Sequence, residues 1–331
     1  MKYDAGYKHW DGEHLGIWAR RLVIAQNGIK MCLQLKWARY LLVVCWVIGF
    51  LAVLLMFLLS QLLVPDSWIS SQVDIMAAQP QAIIRTLVSW LDQHPEVSVQ
   101  ATHNLLFTFL GSRLLTISLL VTGLAIPHLI TRDLSSRAIV IYSAKAIGRF
   151  DYLLSKFAVM FVVLAAAWLG PMTAAWFFGN LLSTKWSFFI HSFPVFLHIL
   201  GYGLVLMIVV SLLAMGVSAI SSQAKYSVSL WFALWLLGNP LVPISKATDQ
   251  GWLKYLSFRY NLDQLGLAIF QPENNYNRIV ENIPFLGQGR GRRPSPFVDM
   301  FQEPQWSGAL VALTLFAALC VWIVLRNTKP K

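Results

Sequence analysis

The chain has 331 residues, 57% of them hydrophobic and 12% charged, with a formal net charge of +11. Soluble domains are about 25% charged. Half that charge cannot cover a water-facing surface of this size, and the apolar content excludes disorder. Three cysteines are too few for a disulfide scaffold, and no Cys or His spacing suits a structural zinc site. The expected class is an all-α integral membrane protein.

Residues 1–40 form an N-terminal segment. On a helix over Ile17–Leu35, Ile17, Ile24, Gly28, Met31 and Leu35 share one side, while Arg20, Gln26, Asn27, Lys30 and Gln34 gather in a polar sector. With Trp18 and Trp37 as interfacial residues, this predicts an amphipathic helix lying in the membrane plane. It serves either to dock a cytoplasmic partner or to anchor the chain in lipid. The membrane domain follows over 41–326, with a short tail at 327–331. A helix needs about 20 apolar residues to cross a bilayer. Six segments qualify: Leu41–Val64, Leu105–Ile130, Phe157–Leu182, Pro194–Ile220, Ser227–Ile244 and Ser307–Leu325. Gly238-Asn239-Pro240 interrupts the fifth. One outer loop, 65–104, carries a short amphipathic stretch at Gln81–Leu91. The other, 245–306, carries an aromatic-rich helix at Trp252–Phe270 and then a turn-rich stretch at Asn274, Asn275 and Asn277.

Lys and Arg favour the cytoplasmic side. With the N-terminus inside, the inner segments hold 16 basic and 5 acidic residues, and the outer ones 9 and 10. Six spans then return both termini to the cytoplasm. Topology and anionic lipid account for the basic balance, which leaves no role for nucleic acid. The basic run Gly287–Pro294 falls outside and reads as a solvated loop; no Lys-Ser or Lys-Thr follows its glycines to make a phosphate loop.

The six segments contain no Asp, Glu or Lys, and Arg113 is their one strong charge. This argues against ion-driven transport, which relies on intramembrane titratable groups. Arg113 either faces a pathway for an anionic substrate or marks the outer interface by snorkelling. No HExxH and no GxSxG occurs, so the chain shows no metalloprotease or serine-hydrolase centre. The informative stretch is the inner loop 131–156, in which Arg132, Arg137, Lys145, Arg149 and Lys156 stand against Asp133 and Asp151, around the apolar run Ala138–Tyr142. Such a segment suits a short helix across the inner surface, a rigid contact for a soluble partner.

This loop resembles the one between spans 2 and 3 of the permease subunits of type-2 ABC exporters. Asp133 matches their acidic residue after span 2, and Arg149-Phe-Asp151-Tyr152-Leu-Leu-Ser-Lys156 matches the end of their loop. Ala146 stands where proline is usual and Ser155 where glycine is usual. The specific match covers about 25 residues; the layout of in-plane helix, six spans and outer helices before the last span is similar over most of the chain. The resemblance implies a non-catalytic subunit that pairs with a second permease copy or paralogue in the lipid bilayer. Separate ABC ATPase subunits would bind ATP and Mg, and this chain would bind no cofactor directly. The loop 131–156 would be the coupling element, with Asp133, Arg137, Lys145, Arg149 and Asp151 as the contact residues. The expected location is a bacterial plasma (inner) membrane. The competing reading from another class is a non-transporting scaffold that recruits a cytoplasmic partner through the same loop.

Overall fold

In the computed structural model, residues 16–64, 67–136, 148–282 and 304–328 are described. Their regular structure is entirely helical, and six helices are long and apolar enough to cross a membrane: Lys36–Gln61, Pro95–Ser135, Arg149–Leu181, Phe193–Ile220, Ala224–Ala247 and Trp306–Asn327. The chain is therefore an all-α, multi-pass membrane architecture. Helix α1 (Ile17–Gln34) leads through Leu35 into α2 (Lys36–Gln61). Next come α3 (Trp68–Asp74), α4 (Ala78–Gln93) and α5 (Pro95–Ala125). A 3₁₀ turn, Ile126–His128, connects α5 to α6 (Thr131–Ser135). Span 3 is α7 (Arg149–Leu164), a π turn (Ala165–Leu169) and α8 (Gly170–Leu181). Then follow α9 (Ser187–His191), α10 (Phe193–Ile220), α11 (Ala224–Gly238) and α12 (Leu241–Ala247). After a 3₁₀ turn come α13 (Phe258–Phe270), α14 (Pro272–Asn282) and α15 (Trp306–Asn327).

Lipid tails are as apolar as leucine, so packing rather than hydrophobicity holds spans together. Helices α5 and α10 form the centre of the bundle, while α2, α11 and α15 keep broad exposed apolar faces. Close approach comes from small residues. A Cβ on Gly49 of α2 would lie 3.1 Å from the Pro171 carbonyl oxygen. Pro171 gives no N–H to the preceding turn, and span 3 widens into its π turn just before it. The indole of Trp46 donates to the Ala166 carbonyl there at 3.1 Å. Trp168, fully buried, donates to Gly111 O of α5 at 3.0 Å. Trp231 of α11 likewise donates to Leu119 O at 3.0 Å.

Three features differ from the sequence expectation. Helix α5 starts ten residues before Leu105, because its polar first turns (buried Ser98, His103 and Asn104) pack against other helices of the protein rather than against lipid. Span 3 starts at Arg149, so 149–156 is the first two turns of a spanning helix and not loop. The asparagine-rich stretch is helix α14. Gln271, at φ 46°, makes the whole turn, and Asn275 Nδ2 donates to the carbonyls of Phe270 and Gln271 at 2.9 and 2.8 Å. The expected helices at Ile17–Leu35 and Gln81–Leu91 are present as α1 and α4, and Trp252–Phe270 is a 3₁₀ turn followed by α13, capped by Ser257. The runs Ala138–Tyr142 and Gly287–Pro294 lie outside the described residues.

Candidate functional site

Helix α1, the start of α7 and the end of α15 meet on one face, here called the terminal face. Span 2 reaches it by breaking. Pro127 interrupts α5, and the chain passes through the 3₁₀ turn and Leu129 (φ −78°, ψ −90°) before helix resumes as α6. The break frees backbone N–H groups in a buried place, where an unpaired donor is costly. Ser218 of α10 accepts from Ile130 N at 2.8 Å and Thr131 N at 3.0 Å, and donates to Ile126 O at 2.8 Å. Thr131 Oγ1 joins it, 2.9 Å from Ser227 Oγ of α11. This polar knot fixes α6, and with it Asp133.

Three of the expected contact residues sit on this face, each with a partner inside the chain. Asp133 Oδ2 lies 2.6 Å from Lys156 Nζ and accepts the Tyr152 hydroxyl at 2.7 Å. The lysine side chain is only 9% exposed, with its ammonium 5.5 Å from the Tyr152 ring centre. Asp151 performs two tasks at once. Its Oδ2 accepts Gly148 N at 3.1 Å, closing the first turn of α7. Its Oδ1 accepts both Nε (2.7 Å) and Nη2 of Arg21 from α1. Arg149 reaches across to α15, donating from Nε and Nη2 to Thr328 Oγ1 at 3.2 and 3.1 Å. Together these bonds tie α1, α6, α7 and α15 into one clamp. Arg137 and Lys145 lie outside the described residues.

The clamp works because α1 presents its smallest residues to α7. Arg21, Ala25, Gly28 and Cys32 form one stripe at intervals of 4, 3 and 4, and the last three are buried. A Cβ on Gly28 would stand 2.5 Å from a Val159 methyl. The bulky apolar residues Ile17, Trp18, Leu22, Val23 and Leu33 are exposed. Burial pushes the Cys32 thiol up to about 11, against the opposing pull of nearby Lys156, so it stays protonated. Sequence reasoning missed Arg21 and Thr328, because no periodicity links positions 130 or 179 residues apart. Lys156 and Tyr152 stood in the quoted stretch without an assigned role.

Beside the clamp the face exposes Arg132, Ser135 and Ser136 at the end of span 2, and an apolar spot on α7. Phe150, 78% exposed, stands on the first turn of α7, with Leu154 exposed one turn further on. Arg113 is elsewhere. It projects from the middle of α5 beside a cavity of about 280 Å³ between α5, α10 and α13. That position is within the length of span 2, on the wall of the cavity. Among the described residues no three His, Cys, Asp or Glu side chains converge on a point that would hold a metal ion. No family model matches the chain, and no curated protein matches it.

Proposed function

We propose that this chain is the membrane-spanning permease subunit of an ATP-driven exporter of the type-2 ABC kind, working as a pair and driven by separate ATPase subunits. The terminal face is then cytoplasmic and α1 lies along the inner surface. The observation that supports this reading most is the clamp. A segment that transmits force must be stiff, and here the residues on both sides of 137–147 are anchored to spans 2, 3 and 6 and to α1 by Asp133–Lys156, Asp151–Arg21 and Arg149–Thr328. A push on that segment from an ATPase would be delivered to several helices at once.

The clamp also redistributes the expected roles. Asp133, Arg149 and Asp151 hold the shape, since their hydrogen bonds are made within the chain. Arg137 and Lys145, with exposed Phe150 on the first turn of α7, are the proposed contact with the ATPase. ATP and Mg belong to that partner, and this chain does no catalysis.

The test is purification of the tagged protein from its native host in mild detergent, followed by mass spectrometry. A stoichiometric subunit carrying a phosphate-binding GxxxxGK[ST] loop is the expected result. A preparation free of any ATPase, repeated in lipid nanodiscs, would refute the reading and leave a non-transporting scaffold as the better account.

A further inference from the structure

Arg113 is buried in neither sense that would make it ordinary. Within the apolar part of span 2, Leu105–Ile130, it stands 8 residues from one end and 17 from the other, about 12 and 26 Å at 1.5 Å per residue. The neighbouring Gly111 carbonyl accepts from Trp168, itself 19 residues into span 3 from Arg149 and 13 from Leu181. Arg113 is thus inside the apolar length of the span, where an uncompensated cation is expensive and marks function by default. Its side chain is exposed, and no hydrogen bond or ion pair engages it among the described residues.

Its surroundings are built for a ligand with two ends. The cavity beside it is lined by Thr108 and Ser112 of α5, Tyr202 of α10, and Asp263 and Phe270 of α13. The one carboxylate is already engaged: Arg259 Nε lies 3.2 Å from Asp263 Oδ2, and Arg259 Nη1 donates to Thr116 Oγ1 at 2.8 Å. Two guanidinium groups against one carboxylate leave a net positive site. The Tyr202 hydroxyl is spent on Leu262 O, and Thr108 Oγ1 on Asn104 O, so neither competes for a ligand's oxygens as a free donor. Ser112 Oγ makes no bond among the described residues and stands next to Arg113. The remaining wall, with Phe109, Leu267 and Phe270, is apolar and suits a hydrocarbon chain.

We infer that this cavity binds the anionic headgroup of an amphiphile, with Arg113 and Ser112 holding the phosphate or carboxylate oxygens and the Phe109–Phe270 wall holding the start of the chain. Under the permease reading this names the substrate class, an anionic amphiphile rather than a neutral solute or a cation. The binding claim is tested without any ATPase, so its failure is separable from failure of that reading.

The experiment uses the full chain in neutral phosphatidylcholine nanodiscs and measures retention of radiolabelled dodecyl phosphate above that of empty nanodiscs. Saturable retention is expected, displaced by unlabelled dodecyl phosphate but not by dodecylphosphocholine or inorganic phosphate. Arg113→Gln is expected to weaken it about tenfold or more, the usual loss of a hydrogen-bonded charge. Arg113→Lys should retain most of it, and Arg85→Gln, an exposed cation on α4, all of it. Ser112→Leu, at an exposed position where added bulk narrows the cavity, is expected to give the same loss with Arg113 in place. Retention unchanged by both Arg113→Gln and Ser112→Leu would overturn the inference. Equal displacement by dodecylphosphocholine would overturn the anion requirement, and equal displacement by inorganic phosphate would overturn the amphiphile.

Discussion

The clamp makes a quantitative demand on the Arg21–Asp151 pair. Both side chains are partly buried, 24% and 14% exposed, and the guanidinium is bidentate on one carboxylate oxygen. An exposed pair would contribute roughly 0–1 kcal/mol, whereas a hydrogen bond to a charged group contributes about 1.5–3 kcal/mol. The geometry here belongs with the second class, reduced by its residual exposure, so a coupling of about 1.5–2 kcal/mol is expected. The perturbation is a double-mutant cycle of Arg21→Gln and Asp151→Asn, in which asparagine keeps an oxygen for the Gly148 N–H. Hydrogen exchange of the peptide covering α1 in detergent reads the opening of that helix. Each single variant should accelerate exchange roughly 10–30-fold, and the double variant hardly further. Additive effects, or α1 protection unchanged in either single variant, would refute the clamp.

Other predictions follow from the same face and its neighbours. Lys156→Met strands Asp133 in a nearly closed site and should lower stability by about 3 kcal/mol; adding Asp133→Asn should restore much of it, as thermal unfolding in detergent would show. Ser218→Ala removes the acceptor of two buried N–H groups at the span-2 break, for a loss of about 2–4 kcal/mol and faster exchange at Ile130 and Thr131. Burial raises the Asp263 carboxyl above its ordinary value, with Arg259 opposing. The folded state therefore holds that proton more tightly than the unfolded chain, and its stability is full below about pH 4 and declines as pH rises through the raised value. Asp263→Asn should flatten this dependence in a pH series of α13 exchange rates.

The spans were legible because a run of leucine, valine and phenylalanine long enough to cross a bilayer has few other uses. Their ends were less so, since hydropathy reports contact with lipid. The first turns of α5 are polar yet buried by other helices, and the first turns of α7 carry Arg149, Asp151 and Lys156, all engaged by other helices. The asparagines of α14 look like a turn because their propensity is for turns. Here one left-handed residue, Gln271, makes the turn and Asn275 closes the adjoining helix end. The candidate loop was legible as a charged segment between two spans. Its internal wiring was not, because Arg21 to Asp151 and Arg149 to Thr328 are contacts of tertiary structure with no local spacing to betray them. In α1 the amphipathic pattern gave no sign that close contact with α7 would bury the small residues Ala25, Gly28 and Cys32.

The proposal that the 137–150 region is the seat of an ATPase is tested most directly by site-specific crosslinking. A photoreactive amino acid replaces Phe150, which is exposed on the terminal face and forms none of the clamp's bonds, and the protein is expressed and irradiated in its native host. The account predicts a single crosslinked partner whose peptides include a GxxxxGK[ST] loop, lost when the same residue is placed instead at exposed Trp68 on the opposite face. Crosslinks from position 150 to lipid alone, with membrane insertion intact, would contradict it.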